Sequence, residues 1–354
     1  MESAKLYMAR CLQLARLGEY YVAPNPMVGA VLVERRNENG ELGKEVILGE
    51  GWHMQYGGPH AEPNCIRNAE KNHPKGIDYK HCTLYVSLEP CSHYGKTPPC
   101  AELIIKKGIG RVVVGCLDPN PRVAGRGVKM LKDAGIEVVV GVLEEECKEL
   151  NKRFICLQEK KRPYVILKWA QTADGYIDCR LEAKGERRKA KGPLVISTPL
   201  LKQLVHQQRA ENMAIMVGTR TVLLDNPKLL TTHWSGRNPI RITLDRHGVL
   251  PSDSKIFSDE SETIVYRENT DWTFILEDLA KRNIHSVLVE GGARLLNTII
   301  ESGVYDEVHV EVGDSLGLSV EGLEFRDLGV KAPEYTFRSK PKMIDGHCVY
   351  IERH

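Results

Sequence analysis

Several things are missing from this chain of 354 residues. The opening Met1-Glu2-Ser3-Ala4-Lys5 lacks the apolar core of a signal peptide, and no apolar run reaches the roughly 20 residues of a membrane span. Neither sign of charge is in excess. The formal net charge is +2, so any affinity for phosphate has to be local rather than a property of the whole surface. The ten cysteines show no disulfide-framework spacing. Cys11, Cys65, Cys82, Cys116, Cys147, Cys156, Cys179 and Cys348 read most simply as small buried thiols, which suits a reducing cytoplasm. What remains is an ordinary globular composition, 42% hydrophobic and 27% charged, in a chain long enough for two domains with a core each.

The other two cysteines belong to a pattern. The stretch opens with His60-Ala61-Glu62 and closes with Glu89-Pro90-Cys91 and Cys100. One imidazole and two thiolates can hold zinc while leaving the fourth position to water, whose pKa then falls from 15.7 to roughly 7. Glu62, two residues past the histidine, is close enough to act as general acid and base without being a ligand itself. H-x-E followed by P-C and a second cysteine is the signature of zinc deaminases. The generic form spaces its cysteines C-x-x-C, whereas eight residues separate Cys91 from Cys100 here, and they include His93, Lys96 and Thr97. The competing reading is a structural zinc knot. Such sites are usually closed by a fourth Cys or His, and here the spare residue is a glutamate.

Along the chain, residues 4–17 have apolar side chains at helical spacing, and residues 28–33 and 46–48 read as strands. A helix over 61–71 would start at the histidine and carry Glu62 in its first turn. Strand 83–87 leads into Pro90-Cys91. Helix 101–107, strand 111–115, helix 128–134 and strand 136–140 complete an alternating α/β pattern. Charge-dense runs then flank a short amphipathic piece at 150–157. This suggests domains at 1–147 and 163–354, with a linker over 148–162.

This first half resembles the deaminase half of the bifunctional riboflavin-biosynthesis deaminase–reductases, in which the longer cysteine loop is the rule. The resemblance rests on Pro24-Asn25-Pro26-Met27-Val28-Gly29, Gly51-Trp52-His53, the Cys91–Cys100 loop and the run from Asp118 to Gly127. It implies a cytidine-deaminase-like three-layer domain in which Asn25, His53, His93, Lys96 and Thr97 contact a pyrimidine ribose phosphate. Lys96 is a mobile cation suited to phosphate, and Asn25 can offer both donor and acceptor to a heterocycle edge. By itself, Asn25 could equally be a turn residue between prolines.

The second half restarts with strand 164–169 and a turn at Asp174-Gly175. Residues 180–192 are strongly basic, but no aromatic residues interleave to stack bases, which disfavours nucleic acid. Helices at 199–209, 275–282 and 293–301 alternate with strands at 214–217, 240–244, 263–266, 286–289 and 308–312. Two glycine junctions follow strands, at Gly218-Thr219-Arg220-Thr221 and at Glu290-Gly291-Gly292-Ala293. Bare N–H groups at a helix start suit a pyrophosphate, though the spacing is not the G-x-G-x-x-G fingerprint of a Rossmann domain.

These pieces resemble the reductase domain of the same family, which is dihydrofolate-reductase-like and uses NADPH. Carried over, Gln171, Thr221, Asp225 and Gly292, Ala293, Arg294, Leu295, Leu296, Asn297 and Thr298 would line the cofactor, while Lys168, Arg209, Leu229 and Glu290 would face substrate. Two departures stand out. Pro193-Leu194-Val195-Ile196-Ser197 replaces a common Ser-x-Trp-Ile-Thr, and Thr232 stands where an arginine is usual. Losing one charge-assisted phosphate contact costs about 1.5–3 kcal/mol.

The expectation is therefore a cytoplasmic, homo-oligomeric bifunctional enzyme. It would use Zn2+ and NADPH on a phosphorylated pyrimidine, with no nucleic-acid or membrane partner. Its rivals are a deaminase carrying a silent reductase-like domain and an RNA-binding module built on the basic loop.

Overall fold

The computed structural model describes residues 2–35, 45–94, 98–120, 123–179, 195–313 and 329–354. They form two compact units, Met1–Lys161 and Arg162–His354. No helix among the described residues is long and apolar enough to cross a membrane.

The first unit opens with helix α1 (Glu2–Arg16), which buries Met8, Cys11, Leu12 and Ala15 along one stripe. Strands β1 (Gly29–Arg35) and β2 (Glu45–Trp52) pair antiparallel, and α2 (Ala61–Asn72) follows. Strand and helix then alternate through β3 (Cys82–Leu88), α3 (Cys100–Lys107), β4 (Arg111–Cys116), α4 (Arg126–Asp133) and β5 (Glu137–Val140). The sheet order is β2-β1-β3-β4-β5, with β3, β4 and β5 parallel. Side-chain alternation splits the core in two. Ala30, Leu32, Leu84, Val86, Val112 and Val114 meet Cys65, Ile66, Ala69, Ile104 and Leu131 of the helices on one face. Val31, Val33, Tyr85 and Val113 turn to the other face, toward Met8, Cys11, Leu12 and Cys147. The arrangement is the three-layer one expected.

Strand β2 can lie close on α2 because Gly49 and Gly51 carry no side chain. A Cβ on Gly51 would sit 2.3 Å from the backbone nitrogen of Cys65. That proximity fixes the helix whose start carries His60 and Glu62.

The stretch 148–162, expected as a linker, is helical instead. Helices α5 (Glu144–Leu150) and α6 (Lys152–Lys160) meet at Asn151 and belong to the first unit, so the seam falls between Lys161 and Arg162. Cys147, Phe154, Cys156 and Leu157 are buried, which linker residues would not be. The charges that suggested a linker are the solvated faces of these helices. Glu144 and Lys148, both half exposed, pair at 2.8 Å across one turn.

The second unit is built on strands β6 (Tyr164–Gln171), β7 (Tyr176–Cys179), β8 (Ala214–Val217), β9 (Ile240–Leu244), β10 (Thr263–Tyr266), β11 (Ser286–Val289), β12 (Glu307–Val312), β13 (Gly329–Lys331), β14 (Lys342–Ile344) and β15 (His347–Arg353). Its helices are α7 (Pro199–Glu211), α8 (Thr219–Asp225), α9 (Trp272–Lys281) and α10 (Ala293–Ser302). Thr198 caps α7 by accepting from Leu201 N, and Asp271 caps α9 by accepting from Phe274 N. The eight-stranded sheet runs β10-β9-β8-β11-β6-β12-β15-β14. The first six strands are parallel, while β15 and β14 are added antiparallel. The inner parallel strands are continuously apolar because both faces are covered: Val287 and Val289 join one core, Ile215 and Val217 another. The basic stretch 180–192 lies outside the described residues, as do Pro193 and Leu194.

A fragment ending at Lys161 is expected to melt in one cooperative transition by calorimetry. One ending at Cys147, the boundary the charge pattern suggests, removes Asn151, Phe154, Cys156 and Leu157 and is expected to show no such transition. Equal melts would place the boundary back at 147.

Candidate active sites

In the first unit, local structure places each donor of the His60–Cys91–Cys100 set. His60 is the extended residue that precedes α2, and its side chain does not cap the helix. Cys91 follows β3 by way of Pro90, and Cys100 is the first residue of α3. The imidazole turns Nδ1 toward both sulfurs, 3.6 Å from Cys91 Sγ and 3.5 Å from Cys100 Sγ. All three atoms lie within 4.8 Å of one another, in the one such cluster found among the described residues. A tetrahedral zinc with bonds of roughly 2.0–2.3 Å separates its ligands by about 3.5–3.8 Å, so both the spacing and the N/S chemistry fit that ion. The Cys91 thiol is pulled down to about 4 by its hydrogen bond with Cys100, against burial and with help from His60. Cys100 is pushed up by that same bond and by burial. A cation bound here would take both sulfurs as thiolates and displace the protons they carry.

Glu62 is the second residue of α2 and is 3% exposed. Burial, reinforced by the Cys91 sulfur, pushes its carboxyl up to about 7, with His60 pulling the other way. A carboxyl so placed can hold or release a proton near neutrality. His53 is buried and braced from both sides: Nδ1 lies 2.9 Å from Pro59 O and Nε2 lies 3.1 Å from Asn25 Nδ2. Asn25 and His53 are therefore brought together beside His60, whose ring meets that of His53 edge-on at 5.4 Å. His93 is exposed, and Lys96 and Thr97 lie outside the described residues.

Motif spacing singles out neither Asn64 nor Glu89. Asn64, in the first turn of α2, donates to Trp52 O at 2.8 Å, holding the chain that leads into His53. Glu89 is 4% exposed, and its carboxylate accepts from Asp118 N (3.2 Å), Gly125 N (2.9 Å) and Val128 N (3.0 Å). It ties the loop before α4 to the strand end that carries Cys91. A Cβ on Gly127 would lie 2.0 Å from Pro90 O, so only glycine lets α4 approach that closely. The signal in the sequence is an acid directly after an apolar strand, which has no fixed spacing to read.

The second unit holds a cavity of ≈ 910 Å³ at the ends of its parallel strands. Of the residues expected at the cofactor, Thr221, Asp225, Gly292, Ala293, Arg294, Leu295, Leu296 and Thr298 line it. So do Lys168, Arg209 and Glu290 of those expected at the substrate. Three do not. Gln171 accepts from Trp169 Nε1 at 2.7 Å, Asn297 lies off the wall of the cavity, and Leu229 packs into a separate core with Val217, Val222 and Ile256. Gly291 has φ +117°, a backbone that glycine adopts readily, and its carbonyl accepts from Gly218 N at 2.9 Å. The two glycine junctions are thus one structure.

Arg209 is paired with Glu290. Nε and Nη2 pair with Glu290 at 2.8 and 2.6 Å, and Nη1 donates to Leu230 O. Burial alone would raise the Glu290 carboxyl, but the charges of Arg209 and Lys168 hold it below the usual range. Burial lowers Lys168, against the pull of Glu290 and Glu311. Other cationic side chains stand around the cavity: Lys202, Arg220 and Arg294 line it and are exposed. Val195 lines it as well, while Thr232 donates its N–H to His206 Nδ1 at 3.1 Å.

Comparison with known proteins bears on both halves. The family model for the cytidine and deoxycytidylate deaminase zinc-binding region matches residues 1–116, and that for the RibD C-terminal domain matches residues 163–314. A zinc-binding deaminase is thus joined in one chain to a reductase. The riboflavin biosynthesis protein RibD of Aquifex aeolicus is 37% identical, covering 97% of this chain and 96% of its own. That of Escherichia coli K12 is 35% identical over 98% of each. The crystal structure of the Thermotoga maritima diaminohydroxyphosphoribosylaminopyrimidine deaminase/5-amino-6-(5-phosphoribosylamino)uracil reductase superposes with a TM-score of 0.80 at 37% identity, covering 99% and 98% of the two chains. The chain belongs to the RibD family of bifunctional deaminase–reductases of riboflavin biosynthesis. A silent second domain is not favoured.

Glu89→Gln replaces one acceptor oxygen with a donor facing backbone N–H groups, at about 1–3 kcal/mol for the group left unpaired. The variant is expected to lose zinc to a chelator faster than wild type. An unchanged rate of metal loss would show that the carboxylate does not steady Cys91.

Proposed function

We propose that the first unit deaminates 2,5-diamino-6-ribosylamino-4(3H)-pyrimidinone 5′-phosphate, and that the second reduces the ribosyl chain of the product with NADPH, giving 5-amino-6-(5-phospho-ribitylamino)uracil. The observation that carries the first half is a buried acid beside a convergent N/S/S donor set. His60, Cys91 and Cys100 would hold the zinc, which would supply an activated water. Glu62 takes a proton from the attacking water on its carboxylate oxygen and passes it to the amino nitrogen that leaves as ammonia. Asn25 and His53 orient the ring, with Lys96 and Thr97 assigned to the phosphate end by resemblance.

In the second unit, NADPH would supply the hydride delivered to the sugar C1. The fit rests on the exposed cations around the cavity and on the start of α10, where bare N–H groups suit a diphosphate. Lys168 and Glu290 face the substrate, and Arg209 holds Glu290 in place. The site described leaves the phosphate without the arginine common elsewhere in the family. Cytoplasmic residence is supported by the free thiols of nine cysteines. A homo-oligomer remains part of the proposal.

Glu62→Gln is expected to keep its zinc and to lose ammonia release by about 10²–10⁴. Near-normal release with full zinc would remove Glu62 as the proton carrier. With the deaminated pyrimidine phosphate supplied directly, wild type is expected to oxidise NADPH steadily. Lys168→Met should lower that turnover about ten-fold or more while ammonia release stays intact. Failure of wild type to turn over NADPH would leave the second unit without its proposed activity.

A further inference from the structure

The side chain at the junction of α5 and α6 is used in an unexpected way. Asn151 has φ −106° and ψ 19°, and its backbone serves both helices: its N–H donates to Lys148 O at 3.1 Å and its carbonyl accepts from Ile155 N at 2.9 Å. An asparagine at a helix start ordinarily accepts from one of the first free N–H groups with its side chain. This one makes no such bond. Its amide reaches a residue 124 positions away, where Oδ1 accepts from Met27 N at 2.8 Å and Nδ2 donates to Met27 O at 2.9 Å. One side chain thus satisfies both backbone groups of one residue. Asn151 is 3% exposed, so water could not replace either bond.

Met27 lies in the middle of the segment that sets two site residues. Asn25 meets His53 Nε2 through its side chain at 3.1 Å, and Val28 O accepts from His53 N at 2.9 Å. Gly29 N donates to Ser87 Oγ at 3.1 Å, which pins the far end. Between those anchors the backbone of Met27 is held by Asn151 alone among the side-chain bonds described.

We propose that Asn151 is a positioning residue of the deaminase: its amide clamps Met27 and thereby fixes Asn25 and His53 for substrate binding. This rests on the reading of Asn25 and His53 as substrate contacts. A helix junction outside the zinc motif then sets the affinity of the site.

Steady-state ammonia release, zinc content and NADPH oxidation would be measured on the full chain carrying Asn151→Ala, Asn151→Asp or Asn25→Ala. Asn151→Ala is expected to raise the KM for deamination about ten-fold and to leave kcat within about threefold, with zinc content and NADPH turnover unchanged. Asp is as good a helix cap as Asn, but its carboxylate would face Met27 O with no proton to donate. Asn151→Asp is therefore expected to raise KM at least as much as alanine does. A KM near wild type in Asn151→Asp would mean that Asn151 serves only the helices, and the proposal falls. If Asn25→Ala raises KM while Asn151→Ala does not, the reading of Asn25 stands and the clamp is overturned. If Asn151→Ala raises KM while Asn25→Ala is silent, Asn25 is not a contact and the clamp stands, acting through His53.

Discussion

The first unit depends on bringing three soft or borderline donors together from three separate elements. His60 is 31 residues from Cys91 and 40 from Cys100, yet all three atoms converge within 4.8 Å. Each donor lies at or just before a helix N-terminus or at the end of a central strand. There the chain changes direction, and the helix dipole favours a thiolate. The rest of the unit serves that convergence. The glycines of β2 let α2 lie close enough to present His60, Glu89 pins the loop before α4 to the Cys91 strand, and burial brings Glu62 to a pKa near neutrality.

The second unit meets a different requirement with different means. It has no cluster of metal donors among its described residues, and its charged chemistry rests on side chains that hold one another. Arg209 and Glu290 form a partly buried bidentate pair, with Lys168 nearby and depressed by burial. Removing one member of such a set would leave an uncompensated charge, whereas the intact set is rigid. In this set Arg209 holds the Glu290 carboxylate from the wall of the cavity. Exposed cations, Lys202, Arg220 and Arg294, line the same cavity.

The two halves also differ in how far their spacing could be read. In the zinc motif the chemistry and the local geometry coincide, because a ligand before a helix and a ligand after a strand are both set by short-range structure. His60, Cys91, Cys100 and Glu62 could be picked out for that reason. Glu89, Asn64 and Asn151 could not. Their partners are backbone groups 12 to 124 residues away, and nothing in sequence spacing marks a backbone donor or acceptor. The stretch 148–162 shows the same limit: its amphipathic piece is legible, but the charge density around it suggests a linker where it marks the wet face of two helices whose Phe154 and Leu157 are buried.

By itself, the sequence determined the alternation of helix and strand, the donor set and its acid, and the presence of two domains. All of these are carried by residue type and short-range periodicity. Tertiary structure alone decided which residues share a wall. It set Arg209 against Glu290, took Leu229 out of the cavity and into a core, joined the two glycine junctions through Gly218 and Gly291, and turned Asn151 away from its own helix. Those outcomes depend on how buried polar groups far apart in the chain find partners once water is excluded, and that pairing is settled only when the elements pack.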